Sequence, residues 1–317
     1  MPMIEWAMWW DKTTARWKEE GAPVTEDFIG ARYALYDYFG LDMYRQRWIV
    51  PAIPPAPHHG AAIIHDEADY EKLRPTLYPA EERGGIPNDS ETWRQWTEGQ
   101  QRGECVNWIT FSGFFNTPRM LLGIEPHLFA FYDKPELMHR INRDVAAWTL
   151  VMLDKVCAVG VPDFMTFMED MSYNNGPMIS EALFDEFMLP YYQIVVPELK
   201  RRGIRVIIDS DGDITRAVPW FEKAGIEGIL PLERQAGVDL AVIRKRHPTM
   251  LFIGHYDKMV MTHGEAAMRA EFERLLPLMR AGGFIPSVDH QTPPGVSLEQ
   301  YRMFVRLLQE YAAKAVE

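Results

Sequence analysis

Between Ile204 and Pro294 four short apolar runs each close on a cluster of acid or histidine: VIIDSDGD, GILPLER, LFIGHYDK and FIPSVDHQ. A stretch of helical character follows each of them, and a strand-plus-helix step of roughly 20 to 35 residues is the size of a βα unit. Repetition of that unit predicts a parallel sheet. In a closed (β/α)8 barrel the carboxyl ends of all strands face one mouth, where enzymes of that architecture do their chemistry. An open doubly wound sheet gathers such ends only at a switch point. The expected fold is therefore α/β, a (β/α)8 TIM barrel.

Upstream, Val106–Phe111 reads as a buried strand leading into a helix near Pro118. A long helix follows Asp133, with Pro135 in its first turn and Gly160 near its end. DFMTFMED is a further strand, ending in Glu169 and Asp170. Ser180 is placed to cap one helix running to Arg201, Arg202 and Gly203, a cation-then-glycine finish. Residues 1–45 are expected to form a helical extension ahead of the barrel, with Thr25 as an N-cap and Gly40 as a stop. From Trp48 to Ile86 the chain is rich in Pro and aromatic residues, and AAIIHDEADY suggests a strand or hairpin there. No long linker or low-complexity tract divides the 317 residues, so a single domain over 1–317 is expected.

A formal net charge of −12 without a Lys/Arg block leaves no basic footprint for nucleic acid or an anionic membrane surface. The short RKRHP at Arg244–Pro248 is read as a solvated helix end. No apolar run is long enough to span a bilayer, and the start of the chain lacks the basic region of a signal peptide. A cytoplasmic location is expected. Cys105 and Cys157 stand far apart, outside any paired motif, and are read as buried small hydrophobes. The 18 Met and ten Trp suit core packing first, and a pocket for a planar apolar ligand second. Walker A, G-x-G-x-x-G and G-x-S-x-G patterns do not occur.

The strand ends from Glu169 onward supply Glu169, Asp170, Asp209, Asp211, Asp213, Glu233, His255, Asp257, Asp289 and His290. Carboxylates gathered so densely repel one another unless protonated, paired with cations or bound to a metal. Imidazole and carboxylate donors together suit Zn2+ first, and Mn2+ or Fe2+ as well. Each acid also has a plainer use. Asp213 and Asp211 can cap the helix beginning near Thr215, and Glu233 can pair with Arg234. His58, His59 and His65 fall in an irregular stretch and read as exposed loop.

Taken together, FSGFFNTPRMLLGIEPHLFAFYDKPELM, MEDMSYNNGPMIS, LPYYQIVVPELKRRG, DSDGD, PLERQAG and FIPSVDHQTPPGVSLEQY resemble the uroporphyrinogen decarboxylase superfamily. Its branch of cobalamin-dependent methyltransferases and O-demethylases is the most similar, over roughly residues 100–315. The resemblance implies a distorted TIM barrel. Thiol-activating members carry a His-x-Cys pair after one strand and a Cys after the last; here Asp209 and Asp211 replace the pair, and His290 falls at the last position. In members that cleave aryl methyl ethers the zinc is held by Glu and His on neighbouring strands, which Glu233 and His255 match, with Asp211 and His290 next. The arginine-rich signature of true porphyrinogen decarboxylation is absent, since YRQRW at Tyr44–Trp48 lacks its glycine.

The expected function is metal-assisted methyl transfer from a small methoxylated or methylated, often aromatic, substrate to a corrinoid. The chain carries no corrinoid-binding signature, so a corrinoid partner protein is implied. Asp211, Glu233, His255 and His290 would hold Zn2+, while Glu169 or Asp170 would orient the substrate or handle its proton. The alternatives are a metal-free lyase, with Asp209 and Asp211 stabilising a protonated intermediate, and a ligand-binding barrel without catalysis.

Overall fold

The computed structural model describes residues 1–7, 9–25, 28–78 and 90–317. Seven parallel-sheet strands follow in chain order: β1 (Tyr44–Ile49), β2 (Val106–Ser112), β3 (Phe164–Met168), β4 (Arg205–Asp209), β5 (Gly228–Leu230), β6 (Leu251–Tyr256) and β7 (Phe284–Val288). Order in the sheet equals order in the chain, beginning at β1 and ending at β7. The fold is α/β as expected, but among the described residues an open order of seven strands stands where a closed ring of eight was expected. All four runs that close on acids or histidine form strands, because their apolar residues are buried, as in Val206, Ile207 and Ile208 of β4.

The chain divides into two compact units. One comprises Tyr44–Ser210 and Arg216–Gly228. Within it β1, β2, β3 and β4 pair in parallel, in registers such as Thr110 opposite Thr166 and Phe167 opposite Ile208. Helices Asn116–Leu122, Ile124–Asp133 and Pro135–Val159 connect β2 to β3. The last begins with proline in its first turn and stops at Gly160, as read from the sequence. A small hairpin, Ser172–Tyr173 with Gly176–Pro177, follows β3. Ser180 then caps the next helix by accepting from Leu183 N–H at 3.3 Å. That helix runs only to Phe187, and a second runs Leu189–Arg201. Pro190 in the first turn of the second has no N–H for a continuous ladder, so the single expected helix is two.

Two expectations in this unit are corrected. The end of the presumed N-terminal helical region is strand β1, whose Gln46 and Arg47 are buried. Gln46 donates to Thr110 Oγ1 at 3.0 Å, and the Arg47 guanidinium lies 4.8 Å from the Trp96 ring. Further on, AAIIHDEADY forms no strand. Asp66 caps a helix over Glu67–Leu77 instead, accepting from Asp69 N–H at 2.8 Å. His58, His59 and His65 are exposed, as expected, whereas Cys105 and Cys157 are half-buried rather than core residues. The far end of the Pro-rich stretch, residues 79–86, lies outside the described residues.

The other unit comprises Met1–Met43, Asp211–Thr215 and Ile229–Glu317. Helices Asp11–Glu19 and Phe28–Phe39 open it, and Gly40 ends the second with a φ of 66°. Residues 26–27, next to the expected cap Thr25, lie outside the described residues. Strands β6 and β7 pair in parallel, with His255 opposite Ser287. Helices Glu265–Ala281 and Leu298–Lys314 pack together, the second opened by a capping box in which Ser297 and Gln300 bond each other's backbone N–H. Trp9, Trp17, Phe39 and Tyr301 form a buried aromatic cluster, so these tryptophans serve the core. RKRHP closes the helix Leu240–Arg246 as read, with Lys245, Arg246 and Pro248 exposed, but Arg244 itself is half-buried. It spans the carbonyls of Pro248, Met250, Gly282 and Gly283 at 2.8–3.1 Å, and burial lowers its pKa. No described helix is long and apolar enough to cross a membrane.

Candidate metal and catalytic site

Asp211 follows β4, Glu233 follows β5 and His290 follows β7, and all three belong to the same compact unit. One ligand atom from each lies within 4.8 Å of the other two. His290 Nε2 is 3.4 Å from Asp211 Oδ2. Glu233 Oε2 accepts from the backbone N–H of Gly212 at 2.8 Å, which fixes the carboxylate. Arg234 does not serve as its partner here: the Arg234 side chain donates to the carbonyl of Val238, and its backbone N–H to Asp289. Asp213 accepts from Thr215 N–H at 3.0 Å and so holds a local turn, not the expected helix cap, because the helix begins only at Val218.

Electrostatics bind the three groups together. Burial and the neighbouring charge of Asp211 raise the Glu233 pKa, opposed by the Gly212 hydrogen bond and by His290 and Lys258. Burial works against a charged His290, but the bond to Asp211 and the charges of Asp211 and Glu233 prevail and raise its pKa. Two carboxylates and an imidazole this close are each relieved by a divalent cation. The donor set, two carboxylates and one imidazole, is of the kind that Zn2+ accepts.

His255, the fourth expected ligand, stands apart from this group. Its ring is fully buried, with Nδ1 3.0 Å from the Leu232 carbonyl and Nε2 3.3 Å from Leu240 N and 3.2 Å from Arg274 Nη1. Both nitrogens are engaged inside the fold, and burial pushes the pKa down to about 3. Asp257 and Asp289 are likewise occupied. Asp257 accepts from Met259 N–H and Gln235, while the buried Asp289 accepts from the backbones of Arg234 and Lys258 and from Lys258 Nζ at 3.1 Å. Lys258 also donates to Gln235 Oε1 at 2.8 Å. This ammonium, whose charge reaches both Glu233 and His290, was given no role in the sequence reading, although it directly follows the quoted Asp257.

In the other unit Glu169 has no free face. Oε1 accepts from Phe114 N–H at 2.7 Å and from the Tyr192 hydroxyl; Oε2 accepts from Phe115 and Asn116 N–H at 2.7 and 3.0 Å. Burial pushes its pKa up to about 7, against those four donors. The carboxylate thus anchors the start of helix Asn116–Leu122. Asp170 accepts from Arg119 at 3.2 Å, and Asp170 and Asp209 each bring a carboxylate oxygen within 4.8 Å of the other.

Three non-glycine residues among those described have positive φ: Asp170 (47°), Leu232 (66°) and His255 (65°). Such conformations cost of order 1–3 kcal/mol each and cluster where side chains must be aimed. Leu232 directly precedes Glu233, so strain is placed beside a member of the cluster.

Comparisons with known proteins agree with this architecture. A family model described as uroporphyrinogen decarboxylase (URO-D) matches residues 95–311. Among solved structures, a methyltransferase from Methanosarcina mazei superposes with a TM-score of 0.67 at 13% identity, covering 98% of this chain and 94% of its own. A protein from Listeria monocytogenes, described as a candidate vitamin-B12-independent methionine synthase, gives 0.48 at 11% identity, with 98% and 96% covered. No curated protein matches the sequence significantly.

Proposed function

Because the chain belongs to the uroporphyrinogen decarboxylase family, we propose that it is a metal-assisted methyltransferase, moving a methyl group from a small methoxylated or methylated substrate to a corrinoid on a partner protein. The observation that carries this reading is the convergence of Asp211, Glu233 and His290. The description of the Methanosarcina neighbour as a methyltransferase supports it. Asp211, Glu233 and His290 would hold Zn2+, without His255. A bound zinc ion supplies a Lewis acid for the heteroatom that carries the methyl group. The residues of the chain orient and restrain. Gly212 N–H holds one oxygen of Glu233, and Lys258 adds positive charge where negative charge grows on a departing heteroatom. The donors around Glu169 leave it a structural part. The cytoplasm is the proposed setting.

Titration of the purified protein with Zn2+, followed by calorimetry, tests the centre. One ion is expected to bind, and His290→Ala or Glu233→Gln is expected to weaken it about 100-fold or more, since each removes a ligand. His290 must lose its proton to become a ligand, so its raised pKa makes affinity fall as pH drops through neutrality, and this slope should vanish in His290→Ala. Binding that is indifferent to both substitutions would sink the assignment. Methyl transfer is read separately, as loss of the cob(I)alamin absorption with a panel of methoxylated aromatics and methylamines. Failure to transfer a methyl group across that panel would favour the lyase or the ligand-binding reading.

A further inference from the structure

We propose that Trp6 is a positioning residue for His290, so that the N-terminal segment completes the candidate metal centre. The inference rests on the reading of Asp211, Glu233 and His290 as metal ligands. Trp6 lies far outside residues 95–311, the span matched by the family model, and no motif singles it out. Yet its ring meets the His290 ring edge to face, with centroids 6.2 Å apart and planes at 77°. Aromatic rings favour this T-shaped arrangement over direct stacking, and it restricts rotation of the smaller ring.

The same tryptophan also grips the backbone that carries His290. Its indole Nε1 donates to the carbonyl of Val288 at 2.6 Å, and its backbone N–H donates to Ser287 Oγ at 3.2 Å. Val288 is the last residue of β7, two before His290. Its neighbour Glu5 is buried, accepting from Tyr301 at 2.8 Å and from Ser287 at 3.4 Å, while its carbonyl accepts from Tyr36. The segment is therefore tied to the helix Phe28–Phe39, to the helix Leu298–Lys314 and to β7, and Trp6 sits at its inner end. On the other side of Val288, Asp289 is fixed by Arg234 and Lys258. Trp6 and these groups clamp the backbone just before His290, and the Trp6 ring then limits the imidazole itself. Groups that orient a metal-bound imidazole are worth about 10- to 100-fold in metal affinity.

The test uses the full chain with Trp6→Phe, Trp6→Ala, Trp17→Phe and His290→Ala. Trp17 is the control, because it too is buried in this unit and donates its indole N–H to a carbonyl, that of Val296 at 2.9 Å. Zn2+ affinity is measured by calorimetry, and ligand geometry by the visible d–d bands of the Co2+-loaded protein. Trp6→Ala is expected to lose 10-fold or more in affinity and to shift the Co2+ bands. Trp6→Phe, which keeps a ring but not the hydrogen bond, should fall in between, and Trp17→Phe should match the wild type in both. Wild-type affinity and bands in both Trp6 variants, alongside a loss in His290→Ala, would overturn the role of Trp6 while leaving the metal centre intact. An equal loss in Trp17→Phe would reduce the effect to general destabilisation and overturn it too. Absence of any Zn2+ or Co2+ binding by the wild type would overturn both, and is told apart because His290→Ala then changes nothing.

Discussion

Glu169→Gln is expected to destabilise the unit containing β1–β4 by about 3 kcal/mol, and Glu169→Ala by about 4 kcal/mol or more. The carboxylate accepts from three backbone N–H groups and one hydroxyl, two donors to each oxygen. A carboxamide has only one acceptor oxygen. Placed toward Phe115 and Asn116, it turns its NH2 onto Phe114 N–H; placed the other way, it meets two N–H groups at once. Each arrangement leaves buried donors without an acceptor, at about 1–3 kcal/mol apiece. Alanine leaves all four unmet and opens a cavity as well. Glu169→Asp keeps the charge on a shorter arm and should fall in between. Gly113 shows how closely the arm is fitted, because a Cβ there would lie 2.0 Å from Glu169 Cδ. Urea denaturation midpoints at a fixed pH above 7 check the series. Glu169→Gln with the stability of the wild type and reduced turnover would instead return Glu169 to the catalytic role first read from its strand-end position.

That reversal explains what was legible in the sequence. An acid after an apolar run marks the end of a strand whichever use it has, so β3 to β7 could be placed from local pattern alone. Whether the acid is available depends on donors that arrive from elsewhere in the chain. For Glu169 they come from Phe114 to Asn116 and from Tyr192; for His255, from Leu240 and Arg274. Nothing within a few residues of either position announces them. Asp211, Glu233 and His290 were picked out by the same local rule and are brought together, with the backbone N–H of Gly212 on Glu233 and with His290 facing Asp211. Strand β1 was missed for the opposite reason. YRQRWI carries polar residues at buried positions, and partners that make the burial tolerable include Thr110 on β2 and Trp96, neither of them near in sequence. Capping and stopping signals, by contrast, were local and held at Ser180, Pro135, Gly40 and Gly203.

Gly254→Ala is expected to cost about 3 kcal/mol or more and to weaken metal binding, although residue 254 touches no proposed ligand. Gly254 lies in β6 with a φ of 113°, where an L side chain is strained by about 1–3 kcal/mol. Added to that is a collision. A Cβ at this position would lie 2.2 Å from the carbonyl oxygen of Pro231, which also accepts the N–H of His255 at 3.0 Å. Relief requires the backbone at Pro231 to move, since a carbonyl cannot rotate away as a side chain can, and overpacking of this kind adds about 1–3 kcal/mol. Pro231 is two residues from Glu233, and the left-handed Leu232 between them leaves little slack. The displacement is therefore passed to a member of the cluster. Gly264→Ala separates the two contributions, because Gly264 has a φ of 86° but nothing within 4 Å of its would-be Cβ. It should lose stability through strain alone, about 1–3 kcal/mol, and keep the Zn2+ affinity of the wild type. Comparable losses of Zn2+ affinity in the two variants would show that the contact with Pro231 does not carry the effect.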